Sequence, residues 1–190
     1  MVSICRMQGE QDNSRRAHMV SIRQMSPEEL SRVEEIDVSE SGHLLYHYRE
    51  GKIATKRQAW HRGPRNAAIW GNYIERWKAV LERGGVALGA FDGKRLVGMA
   101  VLEYHLTERI AHLVALFVSK DFRRQGVAAR LTQEIMRLAK AQGADQLYVS
   151  ATPSESAIGF YLSQGFALAK QVHKGLYALE PEDIHLMRQL

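Results

Sequence analysis

The stretch "KDFRRQGVAARL", residues 120–131, sets Arg123, Arg124 and Gln125 directly before Gly126 and then turns apolar at helical spacing. Val127, Leu131, Ile135 and Leu138 recur on one face until Gly143, which predicts a helix opening at Gly126. The first four N–H groups of a helix have no partner inside it, and the aligned peptide dipoles put partial positive charge there. Gly126 lets backbone approach a ligand with no Cβ in the way, and the two arginines add full charges. Such a helix mouth suits a phosphate.

Upstream, "RIAHLVALFV" (109–118) is nearly continuous in apolar residues, which predicts a strand buried on both faces. Before it, "VALGAF" (86–91), the turn Asp92-Gly93-Lys94 and "RLVGMAVLEY" (95–104) read as a hairpin around an Asp-Gly signal. Downstream, "DQLYVS" (145–150) is a short strand and "SESAIGFYLSQ" (154–164) a short helix ended by Gly165. "FALAKQV" (166–172) and "DIHLMRQL" (183–190) supply closing strands. At the other end, "VSIRQM" (20–25) alternates as a first strand and runs into Ser26-Pro27-Glu28-Glu29, an N-cap, a proline at the first helical position and a capping box. That helix presents Leu30, Val33 and Ile36 on one face. A second helix is expected from about Asn66 to Arg83, with Ile69, Tyr73, Trp77, Val80 and Leu81 as its apolar face and Gly84-Gly85 as its stop. The segment "GHLLYHYREGKIATKRQAWHRGP" (42–64) mixes aromatic, histidine and basic residues and fits no single period. The order β, α, α, an antiparallel run, then β-α-β-α-β predicts a mixed α/β (α+β) domain. One central, mostly antiparallel sheet of about seven strands would be flanked by about four helices.

At 190 residues the chain is long enough for one domain with a real core. Residues 1–18 are polar and without period, and "MVSICRM" at residue 1 is echoed by "MVSIRQM" at residue 19, so the folded domain is expected over 19–190, behind a flexible or added extension. Arg6, Glu10, Asp12, Arg15 and Arg16 interrupt any signal-peptide core, and charges interrupt every candidate membrane span. The single cysteine, Cys5, rules out an intrachain disulfide and a Cys-based metal site. A cytoplasmic protein with no membrane partner is the plain expectation. The net charge of +5 is spread along the chain rather than gathered in one block, so it argues for a local anion site ahead of nucleic acid.

The loop at 123–128, together with a second block formed by Ala157, Phe160-Tyr161 and Gly165-Phe166, resembles the GNAT superfamily of acetyl-CoA-dependent N-acetyltransferases. The family signature, Gln/Arg-x-x-Gly-x-Gly/Ala, is matched by residues 123–128, Arg-Arg-Gln-Gly-Val-Ala. Ala157, Phe160-Tyr161 and Gly165-Phe166 fall at the family's spacing behind it. The likeness covers residues 20–190 and is tightest over 111–167. It implies the GNAT fold, with the sheet splayed where acetyl-CoA binds, acetyl-CoA as co-substrate and no metal. It implies a diphosphate held by Arg123, Arg124, Gln125, Gly126, Val127, Ala128 and Ala129, and a pantetheine arm paired along Leu116, Phe117 and Val118 as a neighbouring strand would be. The family often has Asn at the start of the helix bearing the tyrosine. Ser154 stands there, so Ser154 and Ser156 either touch the arm or cap the helix.

Acetyl transfer to an amine requires the neutral amine, which lies about 4.6 kcal/mol uphill at pH 7 for an alkylamine. Tyr161 matches the family's tyrosine beside the thioester sulfur, as general acid or hydrogen-bond donor. For the base, the position used by the histone-acetylating branch falls on His112, on the face of its strand shared with Val114 and Leu116. The positions often acidic in other branches are Val114 and Ala115. If strands 96–104 and 111–118 pair across a short turn, Glu103 lies close to opposite His112 and orients or charges it. His105, Glu108 and a chain of water remain alternatives. The acceptor, a primary amine of a small molecule or peptide, would sit between the early helices and the late strands. There His43, Tyr46, His47, Tyr48, Trp60 and Trp70 either line an aromatic pocket for a cation or belong to core and surface, with Glu40 and Glu50 the few acids nearby. A homodimer stays open. Two other classes compete: a non-catalytic acyl-CoA sensor, and a nucleic-acid binder using Lys52, Lys56, Arg57, Arg123 and Arg124.

Overall fold

The Asp92-Gly93-Lys94 signal makes a tight hairpin. Strands β4 (Val86–Asp92) and β5 (Arg95–Thr107) pair antiparallel down to Asp92 opposite Arg95, and Gly93 takes the positive φ the turn requires. This hairpin is the centre of a computed structural model that describes residues 20–49 and 51–190. The expectations for residues 1–18, Cys5, Met19 and Glu50 lie outside the described residues.

Around the hairpin, β1 (Ser21–Met25), β6 (Ile110–Val118), β7 (Gln146–Ala151), β8 (Ala167–Leu168) and β9 (Ile184–Gln189) complete a seven-stranded sheet in the order β1-β4-β5-β6-β7-β9-β8. Only β6 and β7 run parallel. On one face, α2 (Val127–Ala141) and α3 (Glu155–Ser163) pack through Val127, Leu131, Ile135 and Ile158 onto Leu102, Leu113, Leu147 and Val149. On the other face, a 3₁₀ helix (Pro27–Glu35) and α1 (Ala67–Glu82) bring Leu30, Val33, Trp70 and Trp77 against Met99, Val101 and Phe117. The mixed α/β architecture expected from the sequence is therefore the one observed.

Several expectations are corrected. The first helix is 3₁₀ throughout, although Ser26 does open it, its N–H donating to the Glu29 carboxylate at 3.2 Å. α1 buries Trp70, Ile74, Trp77 and Val80, while Ile69, assigned to the apolar face, is 44% exposed. The ring of Trp70 sets that face, because Phe117 meets it edge-on at 5.3 Å and Arg65 stacks over it at 4.9 Å. The unassigned segment forms a separate hairpin, β2 (Glu40–Arg49) with β3 (Lys52–Arg62). The closing strand expected over 166–172 shrinks to two residues, and a short helix, α4 (Lys174–Leu179), follows it. No helix among the described residues is long and apolar enough to cross a membrane.

Candidate active site

Strand β6 is joined to β7 only through Ile110, Ala111 and His112. Beyond that rung β7 keeps its antiparallel partner β9, and β6 continues to Val118 paired only with β5. The two strands splay, which leaves backbone of residues 113–118 open on the β7 side. Leu116, Phe117 and Val118 are half-buried there, where two fully buried faces were expected. The ladder to β5 also slips: Leu113 faces Leu102 and Ala115 faces Val101, so Val114 has no opposite number. This bulge turns the faces over. Val114 and Phe117 join the cluster around Trp70, whereas Leu116 and Val118 join the cluster around Leu131, so His112 does not share a face with Leu116 in the simple alternation expected.

At the end of β6 the chain turns through Lys120–Phe122 into the loop. Arg123 donates from Nε to the Val118 carbonyl at 3.2 Å and from a terminal nitrogen to the Ser39 carbonyl at 3.0 Å. Gln125 donates its amide to the Asp121 carbonyl at 2.7 Å. Two of the three polar side chains expected at the phosphate, Arg123 and Gln125, thus brace the loop. Arg124 is exposed and takes φ 63°, Gly126 takes φ 80°, and the first helical bond of α2 runs from the Arg130 N–H to the Gly126 carbonyl. Among the described residues, the N–H groups of residues 124–129 have no backbone acceptor. A Cβ built on Gly126 would meet nothing within 4 Å, so the space beside it belongs to no protein atom. A run of free amides at a helix N-terminus, with open room in front, forms an anion cradle, and the residues present fit a diphosphate.

Tyr161 sits in α3 with its ring edge-on to Phe160 at 5.2 Å and to Phe166 at 5.3 Å. It is 7% exposed, and its hydroxyl has no hydrogen-bond partner among the described residues. Burial first, and the Asp183 carboxylate second, push the phenol well above its ordinary range. Ser154 caps α3, accepting from the Ala157 N–H at 3.3 Å, and lies 3.2 Å from the Ser156 hydroxyl. Its backbone also bridges to Leu45, which docks the β2–β3 hairpin beside α3.

His112 occupies the last joined rung of β6 and β7, only 6% exposed, and Glu103 stands opposite it in the β5 ladder. The carboxylate lies 3.6 Å from Nδ1, a charge contact longer than a hydrogen bond, and it also takes a bond from Arg83 at 2.9 Å. His112 foremost, then Arg83, hold the Glu103 carboxyl down at about 2 against the pull of burial. His105 and Glu108 lie outside this pair, on the exposed end of the β5–β6 hairpin.

A cavity of about 480 Å³ opens between the β2–β3 hairpin and the β8–β9 connection. His47, Tyr48, Tyr177, Asp183 and His185 are among its walls, and His112 is not. Of the aromatic residues proposed for a pocket, only His47 and Tyr48 reach it. Trp70 is core, and Trp60 lies over Gly42, its indole N–H donating to the Leu44 carbonyl at 3.1 Å. Asp183 and His185 were missed as site residues. Their signal was the alternation of "DIHLMRQL", in which Ile184 and Leu186 are core and the residues between them face away from it. Burial foremost, then Glu180, raises the Asp183 carboxyl to about 6, with Arg62 opposing.

The model of the Acetyltransferase (GNAT) family matches residues 45–166. N-alpha-acetyltransferase 30 of Schizosaccharomyces pombe is 27% identical over 89 residues, which is 45% of this chain and 59% of that protein. N-alpha-acetyltransferase 50 of Danio rerio is 25% identical over 117 residues, 60% of this chain and 70% of that protein. The chain therefore spans about six- to seven-tenths of the length of these two curated relatives. In fold, it resembles the crystal structure of nourseothricin acetyltransferase, with a TM-score of 0.69 at 17% identity over 90% of this chain and 98% of that one. It also resembles a putative streptothricin acetyltransferase from Bacillus anthracis in complex with acetyl coenzyme A, with a TM-score of 0.63 at 19% identity over 92% and 99%.

Proposed function

The chain belongs to the GNAT acetyltransferase family, and from that premise we propose that it transfers an acetyl group from acetyl-CoA to a primary amine of a small molecule or peptide, by direct attack in a ternary complex. The observation that carries this reading is the run of N–H groups at residues 124–129, without acceptors, beside open space at Gly126. Acetyl-CoA supplies the acetyl group as a thioester, activated towards a neutral amine.

This chain's residues would act as follows. The amides of 124–129 and the Arg124 guanidinium bind the diphosphate, and Arg123 and Gln125 hold the loop to that shape. The open edge of β6 at Leu116, Phe117 and Val118 pairs with the pantetheine amides, as a strand would in a sheet. Backbone N–H groups along the same edge polarise the thioester carbonyl. Ser154 and Ser156 fix the start of α3, which aims Tyr161. Because the Tyr161 phenol is raised while an ordinary thiol titrates near 8.5, a completed proton transfer to the departing sulfur runs further uphill than in water. Tyr161 therefore serves as a hydrogen-bond donor to the leaving sulfur and stays protonated throughout. His112, with Glu103 held ionised behind it, receives the amine's proton through water.

The test has two arms. Acetyl-CoA and CoA at about 100 times their dissociation constant should raise stability by about 2.7 kcal/mol, read as a thermal shift. Addition of amines should then release thiol. No shift with acetyl-CoA ends the reading. A shift with no thiol release from any amine would leave a binding module in its place.

A further inference from the structure

Asp183 and His185 stand two residues apart at the start of β9, both on the cavity, while Ile184 between them is buried in the core. Asp183 lies in the bend that leads into the strand, and both side chains border the same space.

The neighbours of His185 bear on what it offers there. The Tyr148 hydroxyl accepts a hydrogen bond from the His173 N–H at 3.1 Å and lies 2.8 Å from His185 Nδ1, placed to give that nitrogen its own proton. The Ser150 hydroxyl lies 3.2 Å from the same nitrogen. Burial, with His112 and His173 adding to it, lowers the His185 pKa and keeps the ring neutral. A neutral ring that accepts at Nδ1 carries its proton at Nε2. His185 is 6% exposed, and its Nε2 is buried with no partner in the protein. It is a donor awaiting an acceptor.

Asp183 offers the opposite. Its carboxylate lines the cavity and helps raise the Tyr161 phenol, so a negative charge at the cavity lies within electrostatic reach of the tyrosine assigned to the reacting thioester. Lys174 and Glu182, which also line the cavity, are exposed and screened at its rim. Tyr48 and Tyr177, 60% and 52% exposed, supply aromatic walls at the mouth that suit a cation.

We propose that this cavity selects primary amines carrying a hydrogen-bond-accepting oxygen three bonds from the nitrogen, with Asp183 taking the ammonium group and the Nε2–H of His185 taking the oxygen. In an amine of that kind the nitrogen and oxygen lie about 3 Å apart, so one small ligand can meet two partners that border the same cavity. Amino amides and amino alcohols have the required pair, as does any chain ending in a free α-amine. A simple alkylamine lacks the oxygen, and an amide without an amine lacks the charge. The inference rests on the acetyltransferase reading and deepens it.

The experiment compares kcat/KM, expressed per neutral amine so that the lower pKa of the α-amine is removed, for glycinamide and ethylamine, with acetyl-CoA as donor and thiol release as readout, alongside the acetyl-CoA thermal shift on the same protein. Glycinamide should exceed ethylamine by at least tenfold, His185→Phe should bring the two within threefold, and His185→Gln, which keeps a donor, should restore part of the preference. Asp183→Asn should raise the glycinamide KM at least tenfold while leaving the acetyl-CoA shift in place. Equal use of both amines by the wild-type protein overturns the inference, and so does turnover of neither while the acetyl-CoA shift persists. Should both variants fail to fold, the wild-type comparison still decides. Loss of the acetyl-CoA shift in the wild type counts instead against the acetyltransferase reading itself.

Discussion

Glu103 and His112 face each other across the ladder between β5 and β6, the Glu103 carboxylate 3.6 Å from the imidazole Nδ1 and bonded on its other side to Arg83 at 2.9 Å. A carboxyl held down to about 2 in the folded state, against 4.5 ordinarily, contributes stability that is present above the ordinary carboxylate pKa and is lost as pH falls towards 2. Glu103→Gln should therefore destabilise the protein by about 1 kcal/mol at pH 7, discounted for partial exposure, with the difference shrinking as the solution is acidified. Urea unfolding of both proteins at pH 7 and near pH 3 measures it. A gap that is the same at both pH values would show that the charge is not what the pair uses.

Gly126 needs its positive φ but is crowded by nothing. Gly126→Ala should lose about 1 kcal/mol to the left-handed backbone and keep some acetyl-CoA binding. Gly126→Glu should fold about as well as the alanine variant and lose the acetyl-CoA thermal shift, because it sets bulk and negative charge before the amides of 124–129. An undiminished shift in Gly126→Glu would move the phosphate site elsewhere.

Tyr161→Phe removes a hydroxyl that has no hydrogen bond within the described protein and leaves the ring contacts with Phe160 and Phe166 intact. Stability should change by less than about 1 kcal/mol, since no bonded partner is orphaned. The acetyl-CoA shift should be retained, and kcat should fall about 100-fold or more, the low end of what one hydrogen-bond donor to developing negative charge contributes. Full turnover would return Tyr161 to the core.

For Asp183 the sign is reversed. A carboxyl raised to about 6 contributes stability that is full below the ordinary carboxylate pKa and lost as pH rises through 6. At pH 7 Asp183→Asn should thus be the more stable protein, with the advantage gone near pH 4. Catalysis should run the other way: amine KM in the wild type should climb as pH falls below about 6, and the asparagine variant should lose that acid limb. The groups set against Asp183 are Glu180, Arg62 and Tyr161, together with Lys174, Glu182, His47 and His185 around the cavity. Glu182 stands exposed at the rim while Asp183 is half-buried, so the limb should move with Asp183. A limb unchanged in Asp183→Asn would assign it to another group.

Much of the fold was legible in local pattern. The Asp92-Gly93 turn, the buried run of β6 and the apolar stripe of α2 are each set by residues within one element of each other, and a period of 2 or 3.6 reports them directly. The same holds for the helix mouth at Gly126, because a glycine with φ 80° and a cluster of amides are properties of a few consecutive residues. Local pattern fails where the partner is distant. Ile69 and Trp70 are one residue apart, and only Phe117, nearly fifty positions later, decides which of them is inside. The bulge at Val114 is set by how β5 and β6 pair, so no alternation within β6 predicts which face Leu116 takes.

The sequence by itself determined an α/β sheet protein with a glycine-opened helix mouth at the start of α2 and a tyrosine in the following helix, since short-range geometry and a recognisable motif suffice for both. Only the tertiary structure decided the rest: that Arg123 and Gln125 brace the loop, that β6 parts from β7 after His112, and that Asp183 and His185 share a cavity with the β2–β3 hairpin. The physical reason is reach. A hydrogen bond or a buried charge is settled by whichever group lies within a few ångströms, and residues 47, 148, 161 and 185 come that close only after the sheet has closed.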